Sequence, residues 1–159
     1  MIKKKVLILE GGYNEEHKVS LKSSLEIQKV LKKANIEYKV LKVNPKNFNK
    51  KILKFKNFIC FNALHGSFGE DGKIQRILKK NNIKFTHSGI KSSEICFDKI
   101  KAKKIIIKNN ISTPQFSLIK IKNLNKDQLI NISNTYKKFI IKPNKSGSSF
   151  GIKIIKSKK

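Results

Sequence analysis

The segment 142–151, KPNKSGSSFG, lies between two short apolar runs and constrains the fold more than any other part of the chain. The flanking runs, 139–141 and 152–155, have the length and composition of strands, so the segment is predicted to be the loop of a β-hairpin. Its glycines, Gly147 and Gly151, let the backbone approach an anion closely, and the N–H groups of the neighbouring serines can point toward that anion together. The pattern indicates either an ordinary turn or a phosphate-binding loop, and its spacing is not that of a P-loop.

Strand-like and helix-like patterns alternate before residue 99. Apolar runs predict strands at 6–9 and 58–61, and four apolar residues predict another at 38–43. A short strand is predicted at 84–86, and 44–51 is interpreted as a solvated connection. Apolar residues at helical spacing predict helices over 19–34, where the buried stripe would be Ile27, Val30, Leu31 and Ala34, and around 74–78. The alternation predicts an α/β domain on a mostly parallel sheet.

A second unit is predicted to begin at residue 99. Helices at 99–110 and 126–136 and a strand at 116–121 are expected before the hairpin. A small sheet with so few helices buries too little apolar surface to be stable alone, so we expect an incomplete domain and a chain that is a fragment. The predicted domains are 1–98 and 99–159.

The charge of the chain is strongly positive but is carried almost entirely by lysine. The formal net charge is +27, and Arg76 is the one arginine among 37 basic residues. A protein that reads bases would be expected to use more arginine. We therefore expect nonspecific adhesion to polyanions and no specific nucleic-acid partner.

Cysteines and apolar runs bear on the cellular compartment. Cys60 and Cys96 lie in apolar surroundings and are predicted to be buried free thiols. The run 6–9 is too short for a signal peptide, and no run reaches the length of a membrane span. These features predict a cytoplasmic protein without a membrane partner.

Chemically reactive side chains follow the first and third predicted strands, where ligands bind in open parallel sheets. The segment 11–20, GGYNEEHKVS, carries Glu15, Glu16 and His17, and the segment 64–75, LHGSFGEDGKIQ, carries His65. The acidic residues could instead simply begin a helix, and the histidine could be a structural hydrogen-bonding group. Glu70 and Asp71 are predicted to lie in the first turn of the next helix.

Taken in order, five segments resemble the D-alanine–D-alanine ligase family of the ATP-grasp superfamily. They are GGYNEEHKVS, ALHGSFGEDGKIQ, HSGIKSSEICFDKIKAKK, ISTPQF and IIKPNKSGSSFGI, and they extend over residues 6–155. The resemblance implies a pre-ATP-grasp, Rossmann-like parallel-sheet domain followed by the beginning of an ATP-grasp α+β domain that binds ATP.

The resemblance also implies an activity and roles for individual residues. The family joins two D-alanine molecules for peptidoglycan precursors, using ATP to form an acyl phosphate on the first. By motif match, Glu16 would hold the ammonium group of the first D-alanine and His65 would lie near the substrate carboxylate. Ser148 would hydrogen-bond toward Glu16. Lys99 and Lys142 would contact the ATP phosphates, and Ser149 would contribute a backbone N–H.

The remaining implications concern parts that this sequence does not supply. Magnesium is expected as a cofactor, with its ligands in a C-terminal half, so no metal ligand is predicted here. The chain alone is expected to bind weakly and not to turn over, and the family is usually dimeric. Tyr13, Asn14 and Lys18 depart from the family pattern. Two alternatives stay open: a D-alanine–D-lactate ligase, and a basic binding module that keeps the fold without catalysis.

Overall fold

A parallel sheet of three strands organises the N-terminal part of the chain in this computed structural model, which describes residues 5–123, 125–136 and 138–156. The strands are β1 (Lys5–Gly11), β2 (Tyr38–Val43) and β3 (Phe58–Asn62), and their order is β2-β1-β3. Both neighbours pair with β1 in parallel. The predicted α/β class is therefore confirmed. The strand predicted at 84–86 is reduced to one parallel bridge between Cys60 and Phe85.

Helices lie between these strands in the chain, and further helices follow the last of them. The helix after β1 is α1 (His17–Lys33), and the short α2 (Phe48–Lys51) runs into a 3₁₀ turn at Ile52–Phe55 before β3. Between β3 and the irregular segment 111–120 lie α3 (Lys73–Lys80), α4 (Ile90–Phe97) and α5 (Lys99–Lys108). The sequence patterns predicted α1, α3 and α5 but not α4.

The hydrophobic core lies on the side of the sheet covered by α2 and α3. Its fully buried members include Leu7, Leu9, Phe48, Ile52 and Ile74. The interpretation of 44–51 as a solvated connection is therefore wrong at Phe48, whose ring packs edge-on against Phe68 with 5.8 Å between centroids. Lysines and asparagines surround Phe48 in the sequence. The segment therefore has a polar composition although one of its residues lies in the core.

The helix α1 packs against the sheet through small polar residues rather than through its apolar stripe. Ser20 and Ser24 are fully buried, whereas Val30, which we expected to be buried, is 66% exposed. The Ser20 hydroxyl accepts a hydrogen bond of 2.8 Å from the N–H of Gly11. Small side chains allow this close approach, and the hydroxyl satisfies the last N–H of β1. The contact fixes the beginning of α1 beside the end of the strand.

The part after Asp98 is smaller and more exposed. It contains α5, α6 (Lys126–Thr135) and an antiparallel hairpin of β4 (Lys138–Ile141) and β5 (Lys153–Lys156). The predicted hairpin is confirmed, but the strand predicted at 116–121 is wrong: residues 111–120 are irregular and a 3₁₀ turn follows at Ile121–Asn123. A strand needs a neighbour to satisfy its backbone groups, and neither β4 nor β5 pairs with this segment. None of the described hydrophobic side chains beyond Asp98 is fully buried.

The two thiols differ in environment. Cys60 is buried, and burial raises its pKa to about 12, which leaves the thiol protonated and unreactive. Cys96 is exposed on α4, so the prediction that both thiols are buried is wrong for Cys96. Within the residues that the structure describes, no helix combines the length and the apolar character required to cross a bilayer.

Candidate functional site

A buried carboxylate without a hydrogen-bond partner marks the centre of the candidate site. Glu16 directly precedes α1 and is 1% exposed, yet neither of its carboxylate oxygens is hydrogen-bonded within the described part of the chain. Burying an unpaired charged group is costly in free energy. A cation placed against these oxygens would remove that cost.

Two glycines leave the space around this carboxylate. Gly66 follows β3 with a φ of +71°, and a Cβ atom there would overlap Oε2 of Glu16. Gly147 comes from the hairpin loop, and a Cβ atom there would lie 3.1 Å from Oε1 of Glu16 and 3.6 Å from Oε2 of Glu70. The carboxylate therefore lies where the loop after β3 meets the loop of the C-terminal hairpin.

Asn14 holds the loops after β1 and β3 together. Its side-chain amide donates to the carbonyl oxygens of His65, at 2.9 Å, and Ser67, at 3.1 Å. Its side-chain oxygen accepts from the N–H of Glu16 at 2.9 Å. One residue thus positions both Glu16 and His65. It was noticed in the sequence as a departure from the family pattern, but a single polar residue in a loop gave no sign of this bridging role.

His65 has a partner at each ring nitrogen. Nε2 lies 2.9 Å from the hydroxyl of Ser23 on α1, and Nδ1 lies 3.9 Å from Oε1 of Glu70. The other oxygen of Glu70 accepts from the N–H of Gly66 at 2.8 Å. Glu70 was expected in the first turn of a helix, but α3 begins only at Lys73, so its carboxylate is free to hold the loop.

The other two candidates from the first loop do not share the buried position of Glu16. Glu15 is exposed. The ring of His17 is also exposed, and its Nδ1 lies 2.7 Å from the carbonyl oxygen of Gly12. Of the three consecutive residues, the fold buries only Glu16 between the two loops.

The two candidate ATP-binding lysines have different environments. The pKa of Lys99 is lowered, first by burial and then by repulsion from Lys142, and the charge of Glu16 partly offsets this. The Lys99 ammonium donates to the carbonyl oxygens of Ser146, at 2.5 Å, and Asn144, at 3.4 Å. Lys142 is exposed at the end of β4. Lys99 therefore lies close enough to both groups for the charges of Lys142 and Glu16 to affect its pKa.

The tip of the hairpin loop is a tight turn, in which the N–H of Phe150 donates to the carbonyl oxygen of Gly147 at 3.0 Å. Ser148 and Ser149 have φ values of +44° and +63°, and Gly151 has a φ of +69°. Left-handed residues at both central positions of a hydrogen-bonded turn are typical of the type I′ turns of β-hairpins. The hydrogen bond expected from Ser148 to Glu16 is not formed here, because both Glu16 oxygens are without a partner. Gly147 is instead the loop residue that lies against Glu16.

The residues that attach this loop to α5 were not among the candidates predicted from the sequence. Asp98 caps α5 by accepting from the N–H of Lys101 at 3.1 Å, and the side chain of Asn144 donates to Asp98 at 3.0 Å. An aspartate directly before a helical segment is a known capping pattern and could have indicated the first contact. Nothing in the sequence indicated that Asn144 reaches back to it.

A metal site requires several ligand side chains close together. In the ranges 5–123, 125–136 and 138–156, no three His, Cys, Asp or Glu side chains cluster in a way that could hold a metal ion. The described residues therefore do not fit a magnesium site.

The chain is similar in sequence and in structure to known D-alanine–D-alanine ligases. No protein-family model matches the chain. The chain is 45% identical over 154 residues to a D-alanine–D-alanine ligase of Pelagibacter ubique strain HTCC1062, and the match covers 95% of this chain and 50% of that protein. The chain thus spans about half the length of the curated relatives that it matches.

Solved structures agree with the sequence match. The D-alanine–D-alanine ligase of Bacillus anthracis superposes with a TM-score of 0.79 at 34% identity, over 98% of this chain and 50% of that one. Its complex with ATP superposes with a TM-score of 0.77 at 31% identity, over 98% and 51%. In sequence and in fold, the chain corresponds to the N-terminal part of the D-alanine–D-alanine ligase family.

Proposed function

We propose that this chain supplies the first D-alanine site and part of the ATP site of a ligase that joins two D-alanine molecules for peptidoglycan precursors. The observation that carries the proposal is the buried, unpartnered carboxylate of Glu16 between Gly66 and Gly147. The ammonium group of an amino acid would supply the missing cation and its hydrogen bonds. The family match supports D-alanine as that amino acid.

The proposed reaction has two steps. The carboxylate of the first D-alanine attacks the γ-phosphorus of ATP and ADP leaves. The amine of the second D-alanine then attacks the acyl phosphate, forming the peptide bond and releasing phosphate. Transfers of this kind depend mainly on positioning and on neutralising charge, which are the contributions that the residues of this chain can make.

Each site residue has a proposed part in these steps. Glu16 holds the ammonium group, and His65 faces the carboxylate of the substrate. Lys99, Lys142 and the N–H of Ser149 contact the phosphates of ATP, and the hydroxyl of Ser148 turns toward Glu16 when substrate is bound. Magnesium would reduce the charge of the phosphates, and its ligands would have to come from outside the described residues. A dimeric assembly and a cytoplasmic location stay predictions.

The proposal is tested by titrating the chain separately with D-alanine and with ATP in a calorimeter. We expect Glu16→Gln to weaken D-alanine binding about tenfold or more and to change ATP affinity little, because the charge-assisted contact to the ammonium is lost. Lys142→Ala should do the reverse, since it removes a charge from the phosphate site alone.

Two controls sharpen the titration. L-alanine should bind more weakly than D-alanine, and Lys138→Ala, a nearby exposed lysine on β4, should leave both affinities unchanged. The assignment of roles is wrong if Glu16→Gln weakens ATP binding and spares D-alanine, or if Lys138→Ala weakens ATP binding as much as Lys142→Ala does.

A further inference from the structure

One residue of the hairpin loop makes most of the contacts between that loop and the helix that carries Lys99. The carbonyl oxygen of Asn144 accepts from the N–H of Lys99 at 3.2 Å and from its ammonium at 3.4 Å. The side-chain oxygen of Asn144 accepts from the N–H of Ile100 at 3.0 Å, and its amide donates to Oδ1 of Asp98 at 3.0 Å. Asn144 therefore contacts three consecutive residues at the beginning of α5.

These contacts use the backbone donors that a helix leaves free at its first turn. The N–H groups of Lys99 and Ile100 go to Asn144, and the N–H of Lys101 goes to Asp98. In many proteins such free N–H groups bind phosphate directly. Here they hold the loop, so the helix N-terminus is occupied and a phosphate must be bound by the lysines and by the loop itself.

The position of Asn144 in the chain gives these contacts a consequence for the site. Lys142 lies two residues before Asn144, and Gly147, which lies against Glu16, lies three residues after it. Asp98 is 7% exposed, and Lys145 lies 3.6 Å from its other carboxylate oxygen. The largely buried side chain of Asp98 thus anchors the loop at a point between Lys142 and Gly147.

We propose that Asn144, acting through Asp98, is a positioning residue that fixes the hairpin loop to α5 and so sets the distance between Lys99 and Lys142 for phosphate binding. This inference rests on the proposed function, because it takes ATP as the ligand of the two lysines. Asn144 itself need not touch the nucleotide. Its effect is to keep two like charges close together before ATP arrives, which reduces the ordering required on binding.

The test compares ATP affinity in a set of single variants, measured by titration calorimetry. Asn144→Ala and Asp98→Ala should each raise the ATP Kd about tenfold, because each removes the side-chain link between loop and helix. Asp98→Asn retains the Oδ1 acceptor for Lys101 and Asn144, so its Kd should stay within about twofold of wild type. The double variant with both alanines should be no worse than about twofold beyond either single variant, since both break the same link.

A second readout does not depend on ATP. The N–H of Ile100 should exchange with solvent faster in Asn144→Ala than in wild type, because the Asn144 side chain is its acceptor. Asn134→Ala, an exposed asparagine on α6, is the matched control for both measurements. Asn144→Ser provides a further variant if removal of the longer side chain disturbs folding of the loop.

The outcomes separate this inference from the function on which it rests. Unchanged exchange at Ile100, or an ATP Kd in Asn144→Ala equal to that in Asn134→Ala, would overturn the positioning role while leaving the ligase assignment intact. If the wild-type chain binds no ATP even at millimolar concentrations, where the weak binding expected of this chain would still be measured, the proposed function fails. Faster exchange at Ile100 in Asn144→Ala would then still support the link between loop and helix, and unchanged exchange would refute it.

Discussion

Glu16 is the residue on which the site depends, because its carboxylate is almost fully buried and has no hydrogen-bond partner in the described part of the chain. Folding tolerates this cost where the neighbouring structure fixes the residue. Here the N–H of Glu16 is held by Asn14, and the helix that it begins is seated against β1 through Ser20. A group kept in an unfavourable environment by its surroundings is typical of a binding site.

A substitution at Gly66 should therefore damage both folding and binding. Gly66→Ala places a methyl group against Oε2 of Glu16 and requires an alanine at a φ of +71°. We expect the free energy of unfolding to fall by about 2–4 kcal/mol, from the backbone strain and the overlap together. Chemical denaturation followed by circular dichroism gives this value.

The matched control for Gly66 is another glycine. Gly89 precedes α4 with a φ of −70°, and a Cβ atom there would meet nothing within 4 Å. Gly89→Ala should change stability by about 0.5 kcal/mol or less. An equal loss in both variants would show that the space around Glu16 is not the constraint.

Asp98 should make stability depend on pH in acid. Burial alone would raise its pKa, but hydrogen bonds from the N–H of Lys101 and from Asn144, with the charges of Lys145 and Lys101, hold the pKa below its ordinary value. Because the folded state favours the charged form, the stabilisation is present above an unfolded-state pKa of about 3.9 and is lost as pH falls through the lower folded-state pKa.

The measurement for Asp98 is a series of denaturation curves from pH 6 down to about pH 2, across the range in which aspartate titrates. The wild type should lose more stability over the acid part of this series than Asp98→Asn does. Asp127→Asn, at an exposed aspartate on α6, should follow the wild type. A curve for Asp98→Asn that is parallel to the wild type would contradict the account of Asp98.

At the scale of elements, the packing of α1 against the sheet explains the position of the site. The helix lies against the sheet through Ser20 and Ser24, and the hydrogen bond from Gly11 to Ser20 joins the end of β1 to the first turns of α1. Ser20→Ala should cost about 1–3 kcal/mol, because it leaves the N–H of Gly11 buried without a partner. Ser92→Ala, at an exposed serine on α4, is the control. Similar denaturation midpoints for these two variants would refute the role given to Ser20.

The elements differ in how far the sequence could predict them. Continuous apolar runs identified β1 and β3, since a buried strand has few polar residues. The strand β2 was identified from apolar residues separated by lysines, and only Val43 in it is buried. The prediction for 116–121 failed because the residue types of a segment cannot show that a partner strand exists. The core position of Phe48 was missed because its neighbours in sequence are polar, while its neighbours in space are the core residues of the sheet.

At the scale of the whole molecule, the site joins segments that are far apart in the sequence. Residues 14–16, 65–70, 98–99 and 142–149 all contribute to it. The motifs identified the candidates, and the family resemblance implied which of them would contact an ammonium group and which would contact phosphates. Two contacts depend on the tertiary packing of the hairpin loop: the one between Gly147 and Glu16 and the one between Asn144 and Asp98. Local sequence patterns do not determine this packing.

Charge at this scale cannot by itself identify the site. Lysine and arginine together number 37, so an exposed lysine is the ordinary case in this chain. Lys99 differs from an ordinary surface lysine because burial and Lys142 lower its pKa while the buried Glu16 lies close enough to oppose them. The functional assignment therefore rests on this arrangement rather than on the net charge.

The most direct test of the central claim is to map D-alanine binding on the isotopically labelled chain by NMR. The account predicts that backbone amide signals near Glu16, Gly66 and Gly147 shift with D-alanine, and that L-alanine at the same concentration shifts them less. In Glu16→Gln these shifts should disappear while the spectrum stays that of a folded protein. Shifts confined to other parts of the chain, or equal shifts with the two enantiomers, would contradict the claim that the buried carboxylate is the D-alanine site.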